Sequence, residues 1–330
     1  MSVIRLFFVP LVLCILSACT PKVQDPDVIP GKHATLDAQV FHTADDAPLP
    51  YREWRPSGKP QAVIVAVHGF NDYSRAFETT GTFFKAHRIA VYAYDQRGFG
   101  AAPNTGIWAG EENLVGDLKQ YIQQLSKCYP HTPIYLLGES MGGAVVIDAV
   151  ADPSFPKVKG IILSAPAVWG AETMNPIYRG TLWLAAHTIP YKQFTGSNLK
   201  IIASNNYPML KRLVADPLII KKTRVDAIYG VVHLMDSAYE KVPAVKTPTL
   251  LLYGAHDQVI PRMPVESALA HFTVPVEYVY YPDGYHMLLR DLQGELVMRD
   301  ILSWIRQPKK PLPSGFGELR TSADSAALPN

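Results

Sequence analysis

Six short runs of apolar, largely β-branched or aromatic residues recur along this chain: Gln61–Val67, Ile89–Asp95, Pro133–Gly138, Val158–Ser164, Thr247–Gly254 and Val276–Tyr281. Runs that are apolar on both faces are strands of a parallel sheet covered on both sides. Helical spacing follows several of them, over 75–87, 111–127 and Met141–Val150. Strands alternating with helices imply βαβ units, so the expected class is α/β, with a mostly parallel sheet flanked by helices. A leading hairpin is expected near Phe41–Trp54. Ligands on such sheets sit at the carboxyl ends of the strands, so chemistry is to be sought just after each run.

The rhythm breaks once. Residues 165–240 are apolar and aromatic, with helix-like pieces at Asn175–His187 and Tyr207–Val214. A cap inserted over the strand ends explains one interruption followed by resumption more economically than a separate domain. The core is then expected over 37–164 and 241–306. A tail over 307–330, rich in Pro, Gly, Ser and Ala, is expected to be disordered at its end. The 330 residues are 48% hydrophobic and 18% charged, enough for a sizeable core and far from the composition of a disordered chain. A net charge of +2 and the lack of a basic run argue against a nucleic-acid partner. No obligate protein partner is evident.

The first residues read as an address. Arg5 precedes the apolar stretch Leu6–Leu16, about ten residues where a membrane span needs roughly 20. That is the length of a signal-peptide core. The stretch ends in Leu16-Ser17-Ala18-Cys19, which resembles a bacterial lipobox. The resemblance implies removal of residues before Cys19, acylation of Cys19 and a firm lipid anchor, because several acyl chains hold where one does not. Thr20 follows, where an aspartate would be the inner-membrane retention signal, so the expected location is the bacterial outer membrane, facing the periplasm. Polar, Pro-rich residues 20–36 read as a tether. Of Cys14, Cys19 and Cys128, the mature chain would keep one in its body, with no internal disulfide and no zinc-like spacing. No metal and no cofactor are expected.

Gly138-Glu139-Ser140-Met141-Gly142 has the Gly-x-Ser-x-Gly form. The pattern is weak alone but strong here, because it closes a buried strand and opens a helix, the setting of a nucleophile elbow. Ser140 is the candidate nucleophile. A serine hydroxyl needs a base, and of ten histidines His286 is the one just after the last predicted strand; His256 and His271 lack that placement. The orienting acid should lie between them in chain order, and Asp257 follows a strong strand; Asp283, three residues from the histidine, reads as a turn former. Acyl transfer also needs donors for the developing oxyanion. The backbone N–H groups of Met141 and Phe70 are the candidates, the latter in His68-Gly69-Phe70 after the first long run. His68 is expected to shape that loop.

At this point the chain resembles the monoacylglycerol lipase and lysophospholipase branch of the α/β hydrolases, grouped with serine aminopeptidase-like proteins. The resemblance rests on HGF at 68–70, YDQRGFG at 94–100, GESMGG at 138–143, YGAHDQVIP at 253–261 and DGYHMLL at 283–289. It implies an α/β-hydrolase fold, the same triad and donors, and a helical cap. Two positions depart from it: Asn71 stands where a second glycine is frequent, and Glu139 where histidine is common. Asp95, Arg97 and Gly98 match a family loop taken as structural.

The implied reaction is two-step hydrolysis of a carboxylic ester through an acyl-enzyme. An apolar cap and a lipid anchor suggest a lysophospholipid or monoacylglycerol. Trp169, Tyr178, Leu182, Trp183, Leu184, Phe194, Ile201, Ile202, Tyr207 and Leu210 are candidates for an acyl pocket, though any one fits the cap's own core. Lys211, Arg212, Lys221, Lys222 and Arg224 are candidates for anionic head groups, or a solvated face. An acyltransferase using the same triad and an inactive envelope-binding lipoprotein are the alternatives. Dehalogenase or epoxide hydrolase chemistry would place an aspartate at 140.

Overall fold

The computed structural model describes residues 20–26, 29–170, 174–196 and 200–321. The expected signal segment 1–19, with Cys19, lies outside them. The strands are β1 (Thr35–Asp37), β2 (Val40–His42), β3 (Pro48–Trp54), β4 (Ala62–Val67), β5 (Ile89–Tyr94), β6 (Ile134–Glu139), β7 (Gly160–Ser164), β8 (Gln193–Phe194), β9 (Thr223–Arg224), β10 (Thr249–Gly254), β11 (Val276–Tyr281) and β12 (Gly317–Arg320). The helices are α1 (Glu78–Ala86), α2 (Glu111–Cys128), α3 (Met141–Ala151), α4 (Pro176–Thr188), α5 (Tyr207–Ala215), α6 (Val225–Lys241), α7 (Arg262–His271) and α8 (Gly294–Arg306). All six apolar runs are strands, each within about two residues of its expected bounds.

Ten strands form one sheet in the order β1-β2-β3-β5-β4-β6-β7-β10-β11-β12, and β8 pairs with β9 apart from it. The six central strands run parallel; β3 and β12 close the parallel block with antiparallel pairings. The pleat explains why β4 is apolar throughout. Val63, Val65 and Val67 face a core with Leu118, Tyr121 and Val145 from α2 and α3. Ile64 and Ala66 face the opposite core with Phe84, Val297 and Ile301 from α1 and α8.

The interruption in the rhythm is the segment carrying α4, α5 and the β8–β9 ribbon. Asn175 and Asn206 accept from Ile177 N and Met209 N at the starts of α4 and α5, and each is followed within two residues by a proline, which fits a first helical turn. α6 behaves differently from the rest of the segment. Leu234 and Ala238 join the core beside α3, so the boundary expected at 240 falls inside a core helix.

Two terminal segments hold structure that their composition does not announce, and the end of the tail, 322–330, lies outside the described residues. In the expected tether 20–36, Gln24 N donates to Trp108 O at 2.9 Å and Gln24 Nε2 to Ile107 O at 2.8 Å, while Lys22 N reaches Asp226 Oδ2 at 3.1 Å. Composition shows a polar stretch but not that a neighbouring loop offers it backbone partners. In the tail, Gly317–Arg320 pairs antiparallel with β11, and Ser314 N donates to Asp300 Oδ1. That strand has no β-branched residue to announce it; it forms because β11 leaves an edge to be covered.

Candidate active site

β6 ends at Glu139, and α3 starts at Met141. Between them Ser140 holds φ 55° and ψ −119°, a strained backbone for a residue with a side chain. Neighbours fix it there. Ser140 N donates to Ser164 O at 3.0 Å, and Ala167 N donates to Ser140 O at 2.9 Å. The turn packs so tightly on β4 that a Cβ on Gly142 would stand 2.0 Å from Val67 O, which makes glycine obligatory.

The loops after β10 and β11 bring Asp257 and His286 together. His286 Nδ1 donates to Asp257 Oδ2 at 2.8 Å, and the Asp257 side chain is fully buried. The other carboxylate oxygen accepts from Val259 N at 2.8 Å and Ile260 N at 3.0 Å. These bonds hold Oδ1 in place and aim Oδ2 at the imidazole. His256 N donates to Gly284 O and Ala255 N to Tyr281 O, so the two loops are stitched together. The rival Asp283 is exposed. His256 and His271 are exposed as well, stacked on Tyr285 and bonded to Ser267 O respectively. Among the described residues the Ser140 hydroxyl makes no hydrogen bond.

The loop after β4 backs directly onto the serine: a Cβ on Gly69 would lie 3.3 Å from Ser140 Cβ. His68 is fully buried, with Nδ1 donating to Gly69 O at 2.9 Å and Nε2 accepting from Gln96 N at 3.0 Å. Burial pushes its imidazole below the ordinary histidine range. With both ring nitrogens engaged it is a brace for the loop. Among the described residues the N–H groups of Phe70 and Met141 have no protein acceptor, which leaves both available to a ligand oxygen.

Sequence reading missed a buried ion cluster at this junction. Arg290, four residues past His286, donates from Nη1 to Asp72 Oδ2 at 2.7 Å and from Nη2 to Glu139 Oε1. Burial would pull the guanidinium down, but the two carboxylates hold it above its ordinary value. The signal in the sequence is Glu139 itself, because a carboxylate buried beside a nucleophile needs a cation.

The cap is tied to these same loops. Met287 N donates to Ala203 O, Ser204 Oγ to Asp291 Oδ1 and Asn206 Nδ2 to Arg290 O. On the other side Ile220 N donates to Asn71 O, Asn71 Nδ2 to Thr223 Oγ1 and Tyr73 Oη to Asp216 Oδ2. Of the candidate pocket residues, Trp169, Leu182 and Trp183 line an open cavity of about 310 Å³ between α4 and α6, together with Tyr229, Val232, Arg179, His233 and Asp236; neither Ser140 nor His286 lines it. Tyr178, Leu184, Phe194, Ile201, Ile202 and Tyr207 are exposed. A larger cleft of about 650 Å³, of mixed polar and apolar lining, includes Arg290 in its wall, and neither Ser140 nor His286 lines it. Of the candidate cations Arg224 is paired with Asp226, whereas Lys211, Arg212, Lys221 and Lys222 are exposed. No group of side chains suited to a metal ion occurs among the described residues.

The family model described as "Serine aminopeptidase, S33" matches residues 58–293. The rat (Rattus norvegicus) monoglyceride lipase is 26% identical over 300 residues, covering 86% of this chain and 95% of that one. The monoacylglycerol lipase of Mycolicibacterium smegmatis is 26% identical over 280 residues, 82% of this chain and 98% of that one. Among solved structures, a soluble variant of the Saccharomyces cerevisiae monoglyceride lipase with a substrate analog superposes with a TM-score of 0.69 at 19% identity, covering 86% of this chain and 96% of that one. The likeness fixes the α/β-hydrolase fold.

Proposed function

This chain belongs to the serine aminopeptidase family of α/β hydrolases, and from that premise we propose that it is a serine hydrolase of carboxylic esters acting on lipid-like monoacyl substrates. The observation that carries the proposal is the buried His286–Asp257 pair, set at the same carboxyl end of the parallel strands as a serine held at φ 55°. Ser140 Oγ attacks the ester carbonyl while His286 Nε2 takes its proton. Asp257 fixes the imidazole tautomer and offsets its charge. The oxyanion accepts from the N–H groups of Phe70 and Met141. His286 then protonates the leaving alcohol, and water, activated the same way, releases the acyl group.

The names of the relatives support a monoacylglycerol as substrate, and a lysophospholipid offers the same single acyl ester. The cavity lined by Trp169, Leu182 and Trp183 is the acyl subsite in this reading. A peptidase would need free carboxylates to hold a substrate amine. Asp72 and Glu139, on the loops beside Ser140, are each already engaged by Arg290, which favours an ester. The proposal includes lipid attachment at Cys19 and an outer-membrane location, on the strength of Leu16–Cys19 and Thr20.

The test is hydrolysis of p-nitrophenyl esters of increasing acyl length by the full-length protein in detergent, beside Ser140→Ala. The substitution is expected to lower kcat by at least ~10³-fold. A parent that turns over no ester and whose Ser140 resists a fluorophosphonate would end the hydrolase reading.

A further inference from the structure

Arg290 sits where the loops of the site meet. Its side chain bridges Asp72, two residues past the proposed donor Phe70, and Glu139, the residue before Ser140. Its own place in the chain is four residues past His286, and its carbonyl accepts from Asn206 Nδ2 at the start of α5. The guanidinium thus joins the oxyanion loop to the nucleophile elbow, and the backbone of the same residue joins both to the base loop and the cap. The three side chains are buried, and the balance of two carboxylates against one cation leaves a net negative charge. Such a cluster is an expensive way to gain stability, since apolar side chains of similar volume do as well or better. The serine's strained backbone persists only if its surroundings over-determine it, and Glu139, adjacent in the chain, adds a side-chain tether to the bonds that Ser164 and Ala167 make with it.

We propose that Asp72, Arg290 and Glu139 form a positioning clamp that sets the relative placement of the oxyanion donor, the nucleophile and the base in the reaction described above. Arg290 touches no reacting atom in this scheme. It acts by holding the two loops and the elbow in register, so its loss should slow the chemical step and leave substrate binding little changed. A guanidinium can serve both carboxylates with separate nitrogens; an ammonium is a point donor on a flexible stem and holds the fork less well. The inference rests on the hydrolase reading for its kinetic form, but not for its physical form, which is the geometry of His286 itself.

The experiment uses full-length protein in detergent, with Arg290→Met, Arg290→Lys, Glu139→Gln and the double variant Glu139→Gln/Arg290→Met, each assayed well below its own Tm. Arg290→Met is expected to lower kcat by ~10²-fold with KM within ~3-fold, the scale of a misplacement of about 1 Å. Arg290→Lys should recover part of that loss. The double variant should be no slower than Arg290→Met, because a broken clamp cannot be broken twice. Fluorophosphonate labelling of Ser140 should slow in step, and the downfield NMR resonance of the His286 Nδ1 proton should broaden. If Arg290→Met does not fold, Arg290→Lys and Glu139→Gln carry the same comparison. A variant whose Tm falls while kcat stays within ~2-fold of the parent, or multiplicative losses in the double variant, would overturn the clamp. A parent without ester turnover would instead count against the hydrolase reading, and the proton resonance would still decide the clamp.

Discussion

Asn71 illustrates what a single residue can carry. Its φ of 65° is in the left-handed region, where glycine is at ease and asparagine is tolerated better than most. An asparagine here therefore serves a backbone that a glycine would also suit. The asparagine adds a bond, from Nδ2 to Thr223 Oγ1 at 2.8 Å, that ties the oxyanion loop to β9. Asn71→Gly should lose about 1 kcal/mol with that bond. Asn71→Ala should lose the bond and also meet the left-handed penalty of roughly 1–2 kcal/mol. Urea unfolding should rank parent above Asn71→Gly above Asn71→Ala, and the reverse order of the two variants would refute this account. The same scale shows what a sequence discloses. Ser140, Asp257 and His286 could be proposed because each follows a strand and chain order narrows the choice among them, and the structure brings Asp257 and His286 together. Arg290 was not legible, because its partners lie 218 and 151 residues away and nothing local marks it.

At the scale of elements, the nucleophile helix α3 is pinned to both α2 and α6 by one polar cluster. Asp148 on α3 and Glu111 on α2 share Lys241 and Ser237 of α6, with Lys241 Nζ 3.1 Å from Asp148 Oδ2 and 2.6 Å from Glu111 Oε1. Burial first, and then Glu111, push the Asp148 carboxyl up to about 8. It is therefore protonated in the folded chain at neutral pH but ionised when unfolded. Folding then takes up a proton between the two pKa values, so stability falls as pH rises through that window and levels off above about 8. Asp117, raised to about 6 chiefly by burial, adds a slope of the same sign at lower pH, and neutral buried His68 adds the opposite one below its ordinary range. From pH 7 upward Asp148 is the dominant of these three. Tm should drop by roughly a few °C between pH 7 and 8.5 in the parent, and Asp148→Asn should flatten the curve. An equally steep slope in the variant would remove Asp148 from the explanation. The sheet and helices were readable as elements because period and burial agree in each. β12 and the docking of residues 22–24 were not, because both are set by what a neighbouring edge or loop leaves unpaired.

At the scale of the whole molecule, the cap and the N-terminal end of the described chain lie together. Lys22 N bonds Asp226 in the first turn of α6, and Asp226 N and Val225 N bond Pro190 O and Lys192 O, just past α4. On α4 only Ala186 is buried, while Ile177 and Tyr178 are 73% and 71% exposed and Trp183 and Leu184 are about half exposed. Three residues of chain reach roughly 10 Å at most. The proposed anchor at Cys19 would therefore hold the cap, rather than the far end of the sheet, beside the bilayer. A free tether of 17 residues would have left that orientation open; docking of residues 22–24 removes most of the freedom. Anchoring should then matter for substrate delivery and not for chemistry. Cys19→Ser should leave turnover of a short soluble ester within ~2-fold and lower turnover of a monoacylglycerol embedded in vesicles by ~10-fold or more, by loss of effective concentration. Equal rates for the two proteins on embedded substrate would show that the anchor does not present the cap to lipid. Equal losses on both substrates would point to damage in the fold.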